Sequence, residues 1–145
     1  MLRLIIAAAS LSVGGLAHAG VYSDDMARCL VSSTSSKDKT DLVRWIFANA
    51  ALHPDVANVS SVSAEARDKL DRDIAALLER LVTDVCRKQS DEAFRYEGAT
   101  AFHDSFGVLG QVAMQELMSN KDVAAGFQTF AKYLDNAKFE ALGKK

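Results

Sequence analysis

The sequence predicts an all-α fold, a compact bundle of four to five helices around a central buried helix at about residues 37–53, with one disulfide. Three observations predict it. Apolar residues recur with the helical period in every strongly patterned segment, and no segment alternates like a half-buried strand. Short polar connectors, several of them rich in serine, separate these segments. The chain has 145 residues, 49% of them hydrophobic, which is enough for one domain.

The N-terminal segment, residues 1–19, has the pattern of a secretory signal peptide. Arg3 precedes an apolar run, and the segment ends in Ala17-His18-Ala19, the small-x-small form that signal peptidase requires. The run is too short to span a bilayer comfortably, and Gly20 rather than a lipid-accepting cysteine follows it. We therefore expect cleavage after Ala19 and a single helical domain over residues 20–145, exported to the periplasm without stable membrane insertion. An anchor that is never cut is the alternative.

The first and third predicted helices carry the two cysteines. The first helix is expected to begin after Tyr22, with Ser23 as its N-cap. The third covers residues 64–88, and Cys86 lies just beyond its apolar edge. Its apolar sector comprises Leu70, Ile74, Leu77, Leu78, Leu81, Val82 and Val85.

Cys29 and Cys86 are the only cysteines of the chain, and both lie outside the predicted signal peptide. In an oxidising compartment the economical assignment is one disulfide between them. A free thiol pair and a metal site are the alternatives. The metal site is disfavoured because the two cysteines lack the close spacing of metal ligands.

The second helix is the predicted centre of the bundle. Ser35 and Asp38 have the spacing of a capping box, and the helix is expected to end at His53 because Pro54 cannot continue it. Its apolar residues, including Trp45, occupy nearly the whole circumference. A helix that is apolar on all sides is typically buried.

The C-terminal half predicts two further helices. Residues 89–98 have a weaker pattern, residues 100–118 form the fourth helix, and Asn120 caps a fifth. The fifth helix carries one apolar side, made of Val123, Phe127, Phe130, Ala131 and Leu134.

The charge and the motifs exclude several classes of function. A net charge of −2 is unlike that of a domain that binds nucleic acid. Adjacent residues on a helix point about 100° apart, so His103-Asp104-Ser105 cannot form a catalytic triad. His53 and His103 stand alone, without the spacing of metal ligands. The sequence therefore predicts no catalytic residue, no metal and no cofactor, and an enzyme would need a site assembled from dispersed residues.

The candidate contact residues for a protein partner are Phe94, Arg95 and Tyr96. They lie beside Gly98 in a segment with little periodicity, and aromatic residues and arginine dominate the hot spots of protein interfaces. Burial in the core is the alternative for the two aromatic residues.

Five short segments carry a resemblance to a group of small exported proteins of Gram-negative bacteria. They are Cys29-Leu30-Val31-Ser32-Ser33-Thr34, Leu42-Val43-Arg44-Trp45-Ile46-Phe47, His53-Pro54, Thr83-Asp84-Val85-Cys86-Arg87 and Leu109-Gly110-Gln111-Val112-Ala113. The resemblance covers about residues 26–135. Most of the group is uncharacterised, and some members are similar to periplasmic immunity proteins, which neutralise toxins delivered by neighbouring cells.

The resemblance implies a binding protein that inhibits a toxic effector enzyme and has no catalytic activity of its own. A structural or quality-control protein of the envelope, acting as a homodimer, is the first alternative. An enzyme with a dispersed site is the second.

Overall fold

The computed structural model describes residues 20–142, and within this range it is made of helices and short connectors without a strand. The predicted signal peptide lies outside the described residues. Five helices of eleven residues or more form the bundle, which confirms the predicted all-α fold. The helices are α1 Val21–Ser32, α2 Ser36–Ala50, α3 Pro54–Ala57, α4 Ala64–Glu79, α5 Arg87–Glu97, α6 Ala99–Met118, α7 Lys121–Gln128 and α8 Asn136–Glu140. A π-helical turn, Arg80–Val85, follows α4, and a 3₁₀ turn, Thr129–Tyr133, follows α7.

The longest helix, α6, connects the two halves of the bundle. Helix α1 packs against α5 and α6, while α2 packs against α4 and α6. Burial of apolar surface between these helices is the main term that favours folding. The largest buried side chains, each almost fully removed from solvent, are Met26, Leu30, Ile74, Leu81 and Leu109.

Helix α2 is less buried than its sequence predicts. Its capping box is confirmed, since Ser35 and Asp38 each bond to the backbone of the other. Its neighbours α4 and α6 cover only part of its circumference, so Phe47 is 58% exposed. Trp45 is half-buried, and its indole N–H donates to Asp71 of α4 at 2.7 Å.

The predicted disulfide is confirmed and joins α1 to the start of α5. The Cα atoms of Cys29 and Cys86 are 5.8 Å apart. Cys86 is fully buried, whereas Val85, predicted to face the core, is 48% exposed. The π-helical turn causes this difference: the Cys86 N–H donates to the Leu81 carbonyl at 2.8 Å, five residues back. The extra residue in the turn rotates the following side chains relative to an α-helix.

The fifth predicted helix does not extend the core. Asn120 caps α7 as predicted, since its side chain accepts from the backbone N–H groups of Asp122 and Val123. However, none of residues 121–142 is buried, and most of the side predicted to be apolar is open to solvent. We call residues 121–142 the C-terminal segment.

Reducing the disulfide should lower the free energy of unfolding by about 4 kcal/mol, because the crosslink closes a loop across 57 residues and restricts the unfolded chain. Denaturant unfolding of the oxidised and reduced protein measures this loss. The control is Cys29→Ala with Cys86→Ala, whose unfolding midpoint should not respond to the reductant. An unchanged midpoint for the reduced wild-type protein would contradict the prediction.

Candidate interaction surfaces

The structure places Phe94, Arg95 and Tyr96 together in the last turn of α5, and we call these three residues the α5 surface. Phe94 and Tyr96 are 43% and 61% exposed. Arg95 is exposed and pairs with Asp91, one turn earlier, at 3.1 Å. Exposed surface ion pairs contribute little to stability. The guanidinium is therefore free to exchange this partner for another at small cost.

Both aromatic rings of the α5 surface pack against aromatic rings on other helices. Phe94 lies 6.0 Å from the ring of Phe102, on α6. Tyr96 stacks on Tyr22, on α1, with the ring centroids 4.6 Å apart. Offset stacked and tilted pairs at these distances are favourable arrangements of aromatic rings. The sequence did not identify these supports, because they lie on different helices.

The end of α5 supplies the N-terminal cap of α1. The two carboxylate oxygens of Glu97 accept hydrogen bonds from the backbone N–H groups of Tyr22 and Ser23, each at 2.9 Å. The Ser23 hydroxyl also bonds to Glu97. The expectation that Ser23 caps α1 is therefore wrong: Gly20 is the N-cap residue, and Ser23 is buried within the first turn.

One sequence signal points to this long-range cap. Glu97 is the last residue of α5, where the helix dipole disfavours a negative charge. The N-terminus of α1 has the opposite end of the dipole and unsatisfied N–H groups, so it stabilises the same carboxylate. The sequence shows the unfavourable position but not the helix that compensates it.

A buried hydrogen bond extends this contact to α6. The Ser105 hydroxyl donates to the Ser23 carbonyl at 2.9 Å, and both residues are buried. The hydrogen bond from the Ser23 side chain, with those from the backbone N–H groups of Tyr22 and Ser23, lowers the pKa of Glu97, and desolvation opposes them. The carboxylate is therefore held in its ionised form, which is the form that caps α1.

A groove of about 390 Å³ lies between α2 and α6. Val43, Ala113 and Leu117 form part of its apolar lining, and an ion pair between Lys39 and Glu116, 3.1 Å apart, crosses from one helix to the other. Apolar contacts and the Lys39–Glu116 ion pair therefore both hold α2 against the C-terminal part of α6.

His53 and His103 lie at separate places in the fold, His53 at the start of α3 and His103 on α6. The Nδ1 atom of His53 accepts from the backbone N–H of Asp55 and caps the short helix α3. His103 is exposed beside Asp104, whereas Ser105 is buried and bonds to α1, so these three side chains do not converge. Within residues 20–142, no group of three or more histidine, cysteine or acidic side chains is arranged to hold a metal ion.

The C-terminal segment forms a second exposed apolar surface. Five of its large side chains are more than half exposed, namely Phe127, Phe130, Tyr133, Phe139 and Leu142. A segment with this many exposed large apolar side chains is a candidate interaction site. Across the described range, no helix has both the length and the apolar character needed to cross a membrane.

Comparison of the chain with protein families, curated proteins and solved structures finds no match. The fold and its surfaces define a small helical bundle with one disulfide and two exposed aromatic surfaces.

The substitution Glu97→Gln should lower the Tm of the protein at neutral pH and make that Tm depend less on pH. Because the pKa of Glu97 is lowered in the folded protein, its contribution is complete above the ordinary pKa of 4.5 and is lost as pH falls through the folded value. Thermal melts between about pH 3 and pH 7 should therefore show the wild type and the variant converging in acid.

The matched control is Glu79→Gln, since Glu79 is exposed on α4. Its melting curve should follow the wild type at every pH. Parallel curves for Glu97→Gln and the wild type, with a constant difference down to the acid limit, would contradict an ionised cap.

Proposed function

We propose that the protein is an exported periplasmic binding protein of the immunity type, which neutralises a toxic effector enzyme by covering its surface. The observation that carries this proposal is the α5 surface, where two large aromatic side chains and an arginine are exposed next to one another. Tyrosine and arginine are enriched among the residues that dominate binding energy. The disulfide fits an oxidising compartment, in agreement with export.

The attachment of α5 at both ends suits it to tight binding. Its start follows Cys86, which is crosslinked to α1, and its end is Glu97, which caps α1. The ring of Tyr96 is also stacked on Tyr22 of α1, and the ring of Phe94 lies tilted against Phe102 of α6. A surface that is already ordered loses little conformational entropy when a partner binds.

The charge balance supports an effector with a basic surface. Arg3 is the only charged residue of the predicted signal peptide, so residues 20–145 are one unit more negative than the whole chain, which carries −2. On α5 the acidic residues Asp91, Glu92 and Glu97 are matched by Arg87, Lys88 and Arg95, so the excess of negative charge lies on the rest of the chain. Opposite potentials accelerate association and align the two proteins.

Tyr96→Ala and Phe94→Ala should each weaken binding to the effector by about tenfold or more, because truncating a large aromatic side chain at an interface removes much of its binding energy. The partner is identified first, by pull-down from envelope extract and with the product of the adjacent gene. Calorimetry then measures the affinity of each variant.

Tyr133→Ala is the control, since Tyr133 is exposed in the C-terminal segment and the change is of the same size. Its affinity should equal that of the wild type. The Tm of each variant separates binding from folding: a loss as large as that of Leu109→Ala, a fully buried position, would return the α5 residues to a structural role.

A second candidate function, a self-associating protein of the envelope, is favoured by the exposed C-terminal segment. Phe127 and Phe130 are both more than half exposed. They lie on short helical elements, and a second copy of the chain would cover their exposed rings. Burial of such faces between identical chains is a common route to a homodimer.

Phe127→Gln with Phe130→Gln should weaken dimerisation by about tenfold or more, as measured by sedimentation equilibrium. Val59→Gln is the control, because Val59 is 79% exposed in a connector away from this segment. A wild-type chain that stays monomeric at high concentration would contradict self-association.

A further inference from the structure

The carboxylate of Glu97 occupies the space where a side chain at Gly20 would lie. A Cβ atom on Gly20 would overlap the carboxylate of Glu97. The backbone of Gly20, at φ −68° and ψ 164°, is extended and open to any residue. A side chain at this position would therefore displace the flexible end of Glu97 from the cap, whereas the backbone conformation itself does not call for glycine.

Glu97 has no positively charged partner among residues 20–142. Its hydrogen-bond donors are the neutral backbone N–H groups of Tyr22 and Ser23 and the Ser23 hydroxyl. Of the charged groups nearest to it along α5 and α6, Arg95 pairs with Asp91 and His103 lies beside Asp104. On α1, Asp24 has the same sign as Glu97. The carboxylate thus carries a full negative charge next to the residue that precedes α1.

We propose that Glu97 is the binding site for the α-ammonium group that signal-peptide removal creates on Gly20. Hydrolysis of the Ala19–Gly20 peptide bond consumes one water molecule and leaves a carboxylate on Ala19 and an amine on Gly20. The amine is protonated at neutral pH. This proposal rests on the predicted cleavage after Ala19 and is independent of the binding partner.

The position of the new terminus fits this role. The nitrogen of Gly20 is bonded to the Cα atom against which the Glu97 carboxylate lies. An ammonium group there places a positive charge beside an otherwise unpaired carboxylate, and this charge-assisted pairing outweighs the repulsion between the ammonium and the positive end of the α1 dipole. Before cleavage the same nitrogen is an uncharged amide. Processing therefore strengthens the junction of α1 and α5, next to the stacked pair Tyr22 and Tyr96.

A double-mutant cycle tests the pairing. One chain begins at Gly20, produced by removal of an N-terminal tag, and a second begins at Ala17, which moves the amine about 10 Å along the chain. Each is made with Glu97 and with Glu97→Gln. With Glu97, the chain that begins at Ala17 should melt at a lower temperature than the chain that begins at Gly20. With Glu97→Gln, the two chains should melt at the same temperature.

Glu79→Gln is the control background, and it should show the same loss as the wild type. Equal losses with and without Glu97 would overturn the pairing, because the effect of the terminus would then not depend on the carboxylate.

A pH titration distinguishes the effect of the ammonium charge from the effect of the longer N-terminus. Pairing raises the pKa of the amine, so the advantage of the chain that begins at Gly20 is complete below the pKa of the unfolded amine. It is lost as pH rises through the folded value. The two melting temperatures should therefore converge once the pH exceeds the folded pKa of the amine. By NMR, the Gly20 amine should titrate at higher pH with Glu97 than with Glu97→Gln, and equal midpoints would overturn the proposal.

The processing step has its own readout. Intact mass and N-terminal sequencing of the protein secreted by a bacterial host should give Gly20 as the first residue. A different first residue would overturn the assignment of this cleavage, whereas the cycle and the titration report on the pairing itself. The two parts can therefore fail separately.

Discussion

The fastening of α1 to α5 at both ends is the constraint on which the rest of the structure depends. The disulfide joins the C-terminal half of α1 to the start of α5, and the Glu97 cap joins the end of α5 to the start of α1. The two helices therefore run antiparallel and their register is fixed. Helix α6 then packs on this pair, and the buried bond from Ser105 to Ser23 sets its position. A covalent bond and a charge-assisted cap thus supplement the apolar core at the junction of α1 and α5.

The two exposed aromatic surfaces differ in how they are supported. The α5 surface lies on the doubly fastened helix, and rings from α1 and α6 back its aromatic side chains. The C-terminal segment contacts the bundle mainly where α7 follows α6, and none of its side chains is buried. A preformed surface suits the proposed recognition of a protein partner, since binding requires little ordering. A surface with few internal contacts suits association that itself completes the fold, as between two copies of the chain.

Local signals in the sequence determined the secondary structure and the covalent framework. The capping box at Ser35 and the cap at Asn120 were predicted correctly, because each involves hydrogen bonds between residues two or three positions apart. The helical period of the apolar residues sufficed to predict an all-α bundle. The pairing of Cys29 with Cys86 followed from there being only two cysteines. The α5 surface was predicted from residue type and from the weak periodicity beside Gly98, and its two aromatic side chains are exposed; its role in binding stays a prediction.

Tertiary structure alone decided which faces are buried and which charges meet. Glu97 caps a helix 74 residues away from it, and no local pattern encodes such a pair. The π-helical turn exchanges Cys86 for Val85 at the core, since one added residue rotates everything after it. Phe47 and Phe127 remain exposed because the helices around them leave those sides open. A sequence determines which side chains are apolar along a helix, but burial requires a neighbouring helix, and the number and placement of neighbours depend on the packing of the whole chain.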